Sequence, residues 1–159
     1  AFKRDPKLSG DFTTIREVLY SVVEEYKERD KTYDTVALIY ATAVLLEVDD
    51  LKKALERFEQ IDHPVEMLSV TKFPVPIEWA MQIDEFDQLT PLQPEKLNIR
   101  SQDLSDKWYE TAEFVLYDGL SLEKKIDLLP KMGFATSPNA IDIDTEDNWK
   151  LAELIKKQT

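Results

Sequence analysis

The 159 residues contain no cysteine, one histidine and three glycines, and each shortage removes a class of explanation. Without cysteine there are neither disulfides nor thiolate metal ligands, so the fold must rest on its core, and a cytoplasmic protein is expected. The lone histidine, His63, sits in the turn-like stretch Ile61-Asp62-His63-Pro64, where a surface position is the simpler reading than a ligand or base. Gly10, Gly119 and Gly133 are scattered, so no glycine-rich loop joins a buried strand to a helix and cradles phosphate there. Cations are short as well: 20 Lys and Arg against 32 Asp and Glu leave a formal charge of −12, which argues against nucleic acid or an anionic membrane as a partner. No apolar run approaches the roughly 18 residues of a membrane helix, and no charged-then-apolar start resembles a signal peptide.

What is present is enough for one core. The chain is 43% hydrophobic with three Trp, six Tyr and seven Phe, and its length suits a single domain, residues 1–159. Thr14-Ile15-Arg16-Glu17 is a capping box, and Ile15, Val18, Leu19, Val22, Val23 and Tyr26 then recur at helical spacing to about Arg29. Thr35 to Tyr40 is a short, nearly all-apolar, β-branched run that suits a strand buried on both faces of a parallel sheet. A helix from Asp49 or Asp50 with Leu51, Ala54, Leu55 and Phe58 inward, then a strand over Val65 to Val70, completes a strand–helix–strand unit of parallel type. Phe73-Pro74-Val75-Pro76 breaks the rhythm. Trp79 to Ile83 and Asp84 to Gln88 read as strand and turn, Glu113 to Tyr117 as a strand, Leu122 to Leu129 as a short helix, and Asn148 to Lys157 as the terminal helix.

The richest stretch for chemistry is Ala140-Ile141-Asp142-Ile143-Asp144-Thr145-Glu146-Asp147-Asn148-Trp149. If Ile141 to Ile143 are extended, Asp142 and Asp144 project from one face, because side chains in a strand alternate with period two. Two convergent carboxylates make a hard oxygen site of the kind Mg²⁺ takes when substrate phosphates also bind it. The plainer reading is that Asp144 or Thr145 caps the terminal helix and Asp142 is a solvated loop carboxylate.

Four segments together carry a family resemblance. Ile39-Tyr40-Ala41-Thr42-Ala43, Ser69-Val70-Thr71-Lys72-Phe73-Pro74-Val75-Pro76-Ile77, Asn98-Ile99-Arg100-Ser101-Gln102-Asp103-Leu104 and Asp142-Ile143-Asp144-Thr145-Glu146-Asp147-Asn148-Trp149 stand in the order and approximate spacing of the acylneuraminate cytidylyltransferases, or CMP-sialic acid synthetases. The pseudaminic acid cytidylyltransferase branch is the nearest in pattern, and Phe2-Lys3-Arg4 with Leu8-Ser9 extend the similarity over nearly the whole chain. The resemblance implies a truncated Rossmann-like α/β fold, a mostly parallel sheet flanked by helices, corresponding to the C-terminal two-thirds of such an enzyme. It implies transfer of CMP from CTP to the anomeric hydroxyl of a nine-carbon 2-keto sugar acid, with Mg²⁺ held by Asp142 and Asp144. Arg100 and Gln102 would lie near the sugar, Thr42 and Ala43 would line the nucleotide side, and Arg4 would reach the phosphates, its planar fork suiting a bidentate grip. Read without the family, Thr42 and Ala43 are a strand-to-loop exit and Arg100 is a surface ion-pair residue.

Departures from the family pattern set a second expectation. Its opening strand and basic Pro-Ala-Arg-Gly-Gly-Ser-Lys loop have no counterpart in these residues; the proline after Ala-Thr-Ala is Val44, and the Arg-Pro of the early segment is Arg4-Asp5. The Tyr-His-Asp-Ala-Gly-Gln-Phe motif has become Tyr109-Glu110-Thr111-Ala112-Glu113-Phe114, one residue shorter, which removes polar groups expected near the sugar. The chain alone is therefore expected to be inactive as a transferase, being either a fragment completed by another chain, a non-catalytic binder of sugar or nucleotide, or an interaction module without ligand. The resemblance also implies a homodimer through an excursion at about 73–117, with Trp79, Met81 and Trp108 at or near the interface. In the family the Thr35 to Tyr40 strand resembles one paired on both sides, so its free edge is expected to be covered by a rearranged segment or by the partner chain.

Overall fold

In the computed structural model, which describes residues 2–158, a four-stranded sheet carries helices on both faces, and a small two-stranded sheet forms separately. The first helix, α1 (Ile15–Lys27), begins where its capping box places it: Thr14 Oγ1 accepts from the Glu17 N–H at 3.2 Å and Glu17 Oε2 accepts from the Thr14 N–H at 2.7 Å. β1 (Thr35–Ile39), α2 (Val48–Phe58) and β2 (Glu66–Lys72) follow, close to the boundaries that hydrophobic spacing predicts. A 3-10 turn (Ile77–Trp79) and the hairpin of β3 (Met81–Ile83) and β4 (Leu89–Pro91) then lead to the long strand β5 (Trp108–Asp118). The chain closes with α3 (Gly119–Glu123), β6 (Lys131–Ala135) and α4 (Glu146–Lys156).

The sheet order is β1-β5-β2-β6. The α/β class is as expected, but the sheet is not mostly parallel: β1 and β2 both pair antiparallel with β5, and only β2 with β6 is parallel. β1 and β2 do run in the same direction, as a strand–helix–strand unit requires. β5 enters between them running the opposite way, which is why local sequence pattern misjudged the pairing. β6 has no counterpart among the sequence-based expectations, because Lys-Met-Gly-Phe-Ala is too short and mixed to announce a strand; its parallel register on β2 makes it one. The helix expected over Leu122 to Leu129 starts earlier and is shorter. Asp118 Oδ1 accepts from the Ser121 N–H at 2.7 Å, and the turn ends at Lys125, whose φ is 54°.

Two apolar clusters sandwich the sheet. On one face Ala54 and Phe58 of α2 pack on Met67, Phe114 and Leu116; on the other Leu19 of α1 packs on Val115, Tyr117 and Leu122, with Val36, Leu38 and Tyr40 at the margin. Arg16 of α1 donates to Glu66, a carboxylate buried at the start of β2, which fixes the helix against the sheet. β1 is an edge strand rather than one buried on both faces: Ala37 is exposed and Ile39 is 50% exposed. Among the described residues no segment pairs with its outer side, so the rearranged cover is not there.

Where β1 and α3 begin, the backbones meet. The Gly119 N–H donates to the Asp34 carbonyl at 2.8 Å, and a Cβ at Gly119 would lie 1.8 Å from the Tyr33 carbonyl oxygen. Gly119→Ala is predicted to cost about 3 kcal/mol or more in urea denaturation, because the clash is with backbone that cannot rotate away. Gly10→Ala, whose nearest neighbour is 3.9 Å away, serves as the control and should change stability by less than about 0.5 kcal/mol. Equal effects at the two positions would contradict the close approach.

Candidate functional site

The site is built where β1 stops. Tyr40 makes the last ladder bond, its N–H donating to the Glu113 carbonyl at 3.1 Å, and the chain then turns through Thr42 and Ala43, with the Ala43 N–H on the Tyr40 carbonyl at 3.1 Å. On β5 the ladder is broken at the same level. The β2–β5 register shifts between Leu68 and Val70, and Ala112 takes a φ of 52°, in the left-handed region that non-glycine residues rarely enter. The two N–H groups that the bulge frees, from Glu113 and Phe114, donate to the buried Ser69 hydroxyl at 3.2 and 3.1 Å.

Beyond the bulge, β5 diverges from β1, and the side chains bridge the gap instead of the backbone. The Tyr40 hydroxyl donates to Glu110 Oε1 at 3.3 Å. The Tyr40 phenol is pushed up from 10.0 to about 12, first by burial, then by the charges of Glu110 and Tyr117, the hydrogen bond to Glu110, and the charge of Asp142. The charge of Asp142 thus reaches the Tyr40 phenol, although Asp142 lies 102 positions after Tyr40 in the chain.

Asp142 and Asp144 are both exposed, while Ile141 and Ile143 between and beside them are half-buried. The alternation is that of an extended segment, but the segment has no sheet partner and is not a strand. Ile143 lines a cavity with Val44 and Leu45, which brings the backbone between the two aspartates beside the turn after β1, their side chains facing the other way. The helix cap is Thr145, whose Oγ1 accepts from the Asn148 N–H at 3.2 Å while Asn148 Oδ1 accepts from the Thr145 N–H at 3.0 Å. Asp144 is thus not used as a cap. Among the described residues no group of three or more His, Cys, Asp and Glu forms a self-sufficient metal cage. An exposed carboxylate pair fits the other arrangement, in which Mg²⁺ is held by one or two carboxylates and completed by substrate phosphate.

Thr42, Ala43, Asp142 and Asp144 therefore come to one end of the sheet. Arg100, Gln102 and Arg4 are elsewhere. Arg100 precedes a 3-10 turn (Ser101–Asp103) that contains the exposed Gln102, and it is engaged with Asp103, its Nε at 2.8 Å and Nη2 at 3.3 Å from the two carboxylate oxygens. That turn lines a separate cleft with Phe73 to Pro76. Arg4 lies exposed along a cleft against Val18 and Val22 of α1. Tyr40 was not singled out by its sequence as a site residue. Its only local signal was a polar-tipped aromatic closing an apolar strand, and its partner Glu110 stands where the family motif differs.

Because the neutral phenol is the form favoured by the fold, Tyr40 contributes stability that is complete below pH 10.0 and is lost as the pH rises through about 12. A ¹³C-tyrosine NMR titration should show Tyr40 still protonated at pH 11. Glu110→Gln should lower its pKa while burial keeps it above 10.0. An ordinary titration of Tyr40 in the unsubstituted protein would refute the Tyr40–Glu110–Asp142 arrangement.

No family model matches the chain. Two curated proteins do: a pseudaminic acid cytidylyltransferase from Campylobacter jejuni subsp. jejuni serotype O:2 is 31% identical over 161 residues, and one from serotype O:23/36 is 30% identical over the same length. Each match covers 98% of this chain and 68% of the relative.

Proposed function

The chain belongs to the pseudaminic acid cytidylyltransferase family, and on that premise we propose that it serves transfer of CMP from CTP to an acidic nine-carbon 2-keto sugar. The observation that carries the reading is the match at 30–31% identity over 98% of the chain. The end of β1 supports it, since Val44 and Leu45, which follow Thr42 and Ala43, and Ile143, which stands between Asp142 and Asp144, line one groove there. In the reaction the anomeric hydroxyl of the sugar attacks the α-phosphorus of CTP, an O–P bond forms, the bond to the β-phosphate oxygen breaks, and pyrophosphate leaves. Asp142 and Asp144 would hold Mg²⁺, which supplies neutralisation of phosphate charge. The rest of the work is placement: the turn at Thr42 and Ala43 would border the nucleotide, and the Tyr40–Glu110 hydrogen bond ties the exit of β1 to β5.

In this proposal the 159 residues act as a part. The side that grips the triphosphate is added at the free edge of β1, whose outward N–H and C=O groups and exposed Ala37 and Ile39 suit a further strand. The proposed homodimer forms through the excursion between β2 and β5, where Met81, Ile83 and Leu89 of the hairpin are 48%, 64% and 63% exposed and Trp108 is 46% exposed.

Three outcomes are expected. The 159-residue protein with CTP, Mg²⁺ and a nonulosonic acid should release no pyrophosphate; robust release that Asp142→Asn or Asp144→Asn abolishes would contradict the division of the site. Mg²⁺ alone should bind weakly, and more tightly in the presence of CMP, whereas tight binding of the metal alone would mean ligands beyond these two carboxylates. Light scattering should give twice the 18.5 kDa monomer mass.

A further inference from the structure

We propose that the free edge of β1, with the groove between that strand and α1, docks one extended, basic segment of another polypeptide whose side chains are apolar on both faces. The inference rests on the proposed function, and it gives the chemistry and register of the part that completes the site. The backbone sets the register. The Tyr40 N–H donates to the Glu113 carbonyl, and the Asp34 carbonyl accepts from the Gly119 N–H, so the even-numbered residues of this stretch turn their polar groups toward β5. In an antiparallel ladder the residues between them turn the other way. Thr35, Ala37 and Ile39 therefore point N–H and C=O outward, and among the described residues nothing pairs with that side. A row of donors and acceptors at every second residue is met in full by another strand, which sits about 4.8 Å away.

The side chains define what that strand carries. Val36 and Leu38 pack into the cluster under α1, whereas Ala37 and the half-exposed Ile39 alternate to the other face, where they are uncovered. On the α1 side an open groove of about 200 Å³ runs beside the edge. It is lined by Val22, Val23 and Tyr26 of α1 and by Thr35, Val36 and Ala37 of β1, with Lys31 to Tyr33, Gly119 and Glu123 completing it. Tyr26 stands edge-on to both Phe2 and Tyr33, with ring centroids 5.2 and 5.4 Å apart, so this wall is braced before anything binds. A strand laid on β1 sends alternate side chains into the groove and over Ala37 and Ile39, and both destinations are apolar. It must therefore be apolar on both faces, as strands inside a covered sheet are. A formal charge of −12 favours a basic segment. A polypeptide suits the edge better than a small ligand because about a third of each relative lies outside the match, which spans 68% of its length.

The probe is the peptide acetyl-Lys-Val-Ile-Phe-Val-Lys-Arg-amide, titrated into the 159-residue protein while amide hydrogen exchange is read residue by residue. The expected result is saturable slowing at Thr35, Ala37 and Ile39, with Val36, Leu38 and Tyr40 unchanged because β5 already holds them. The same peptide N-methylated at every residue should not bind, and replacing its Phe by Gly should weaken it by about tenfold or more, the worth of one buried aromatic side chain. Ala37→Pro removes one outward N–H at an edge position that tolerates proline, and should weaken binding by about fivefold. Ala37→Lys sets a charge where an apolar side chain of the incoming strand would lie, and should weaken it as well. Retained protection of Leu38 and Tyr40 in both variants separates blocked docking from misfolding. Equal binding of the N-methylated peptide, or slowing confined to other segments, overturns the docking site. Slow exchange at Ala37 and Ile39 without peptide, rising with protein concentration, also overturns it, since a second copy then holds the edge. Equally tight binding of a peptide with Glu in place of Lys and Arg overturns the basic character of the segment. No docking, with Mg²⁺ and CMP still perturbing Asp142 to Asp144, overturns the site and leaves the proposed function standing. Docking with no response of those residues to Mg²⁺ and CMP supports the site and counts against that function.

Discussion

The bulge in β5 is the constraint on which the rest of the molecule turns. β5 is the only strand of the larger sheet that pairs antiparallel on both sides, and it can bridge β1 and β2 only while its backbone groups are satisfied. Ala112 in the left-handed region breaks the ladder and strands two N–H groups in a dry environment, where each unmet donor would cost about 1–3 kcal/mol. One buried hydroxyl, that of Ser69, accepts both. The same bulge ends the pairing with β1 at Tyr40, so that Tyr109 and Glu110 swing away from the edge and a mouth opens between them. Fold and candidate site therefore share a cause.

Electrostatics then decide what that mouth can receive. Glu110, Asp142 and Asp144 gather carboxylates at one end of a chain that carries −12 overall, and the charge of two of them already reaches the Tyr40 hydroxyl. An acidic sugar or a nucleotide phosphate approaching this end meets repulsion unless a cation comes with it. Proposed Mg²⁺ use is consistent with that requirement, and so is the proposal that a basic, phosphate-gripping element is brought to the open edge of β1.

Much of this was legible in the chain, and the limits are physical. Elements specified by neighbours in sequence were readable: the capping box at Thr14, the inward face of α2 through Ala54 and Phe58, the cap at Thr145. Features set by distant partners were not. The reversal of β5 depends on the long excursion that precedes it, β6 is a strand only because β2 lies beside it, and the helix α3 starts early because Asp118 can cap it. For the site, the Asp142 and Asp144 pair and the Thr42–Ala43 turn could be named from motif order, but no pattern could place Tyr40 on Glu110, 70 residues away. Arg100 illustrates the converse. Its motif points to a ligand contact, and in the structure its guanidinium pairs with Asp103 at the surface.

The claim at the centre is that the exit of β1, the far end of β5 and the Asp142 to Asp144 segment form one metal-dependent mouth. Paramagnetic relaxation by Mn²⁺, used in place of Mg²⁺ with CMP present, reads that directly through residue-resolved amide broadening. Broadening should centre on Asp142 to Asp144 and spread to Tyr40, Thr42, Ala43 and Glu110, with Asp142→Asn removing all of it together. Broadening centred on other acidic stretches, such as Asp49-Asp50 or Asp84 to Asp87, with these residues unaffected, would contradict it.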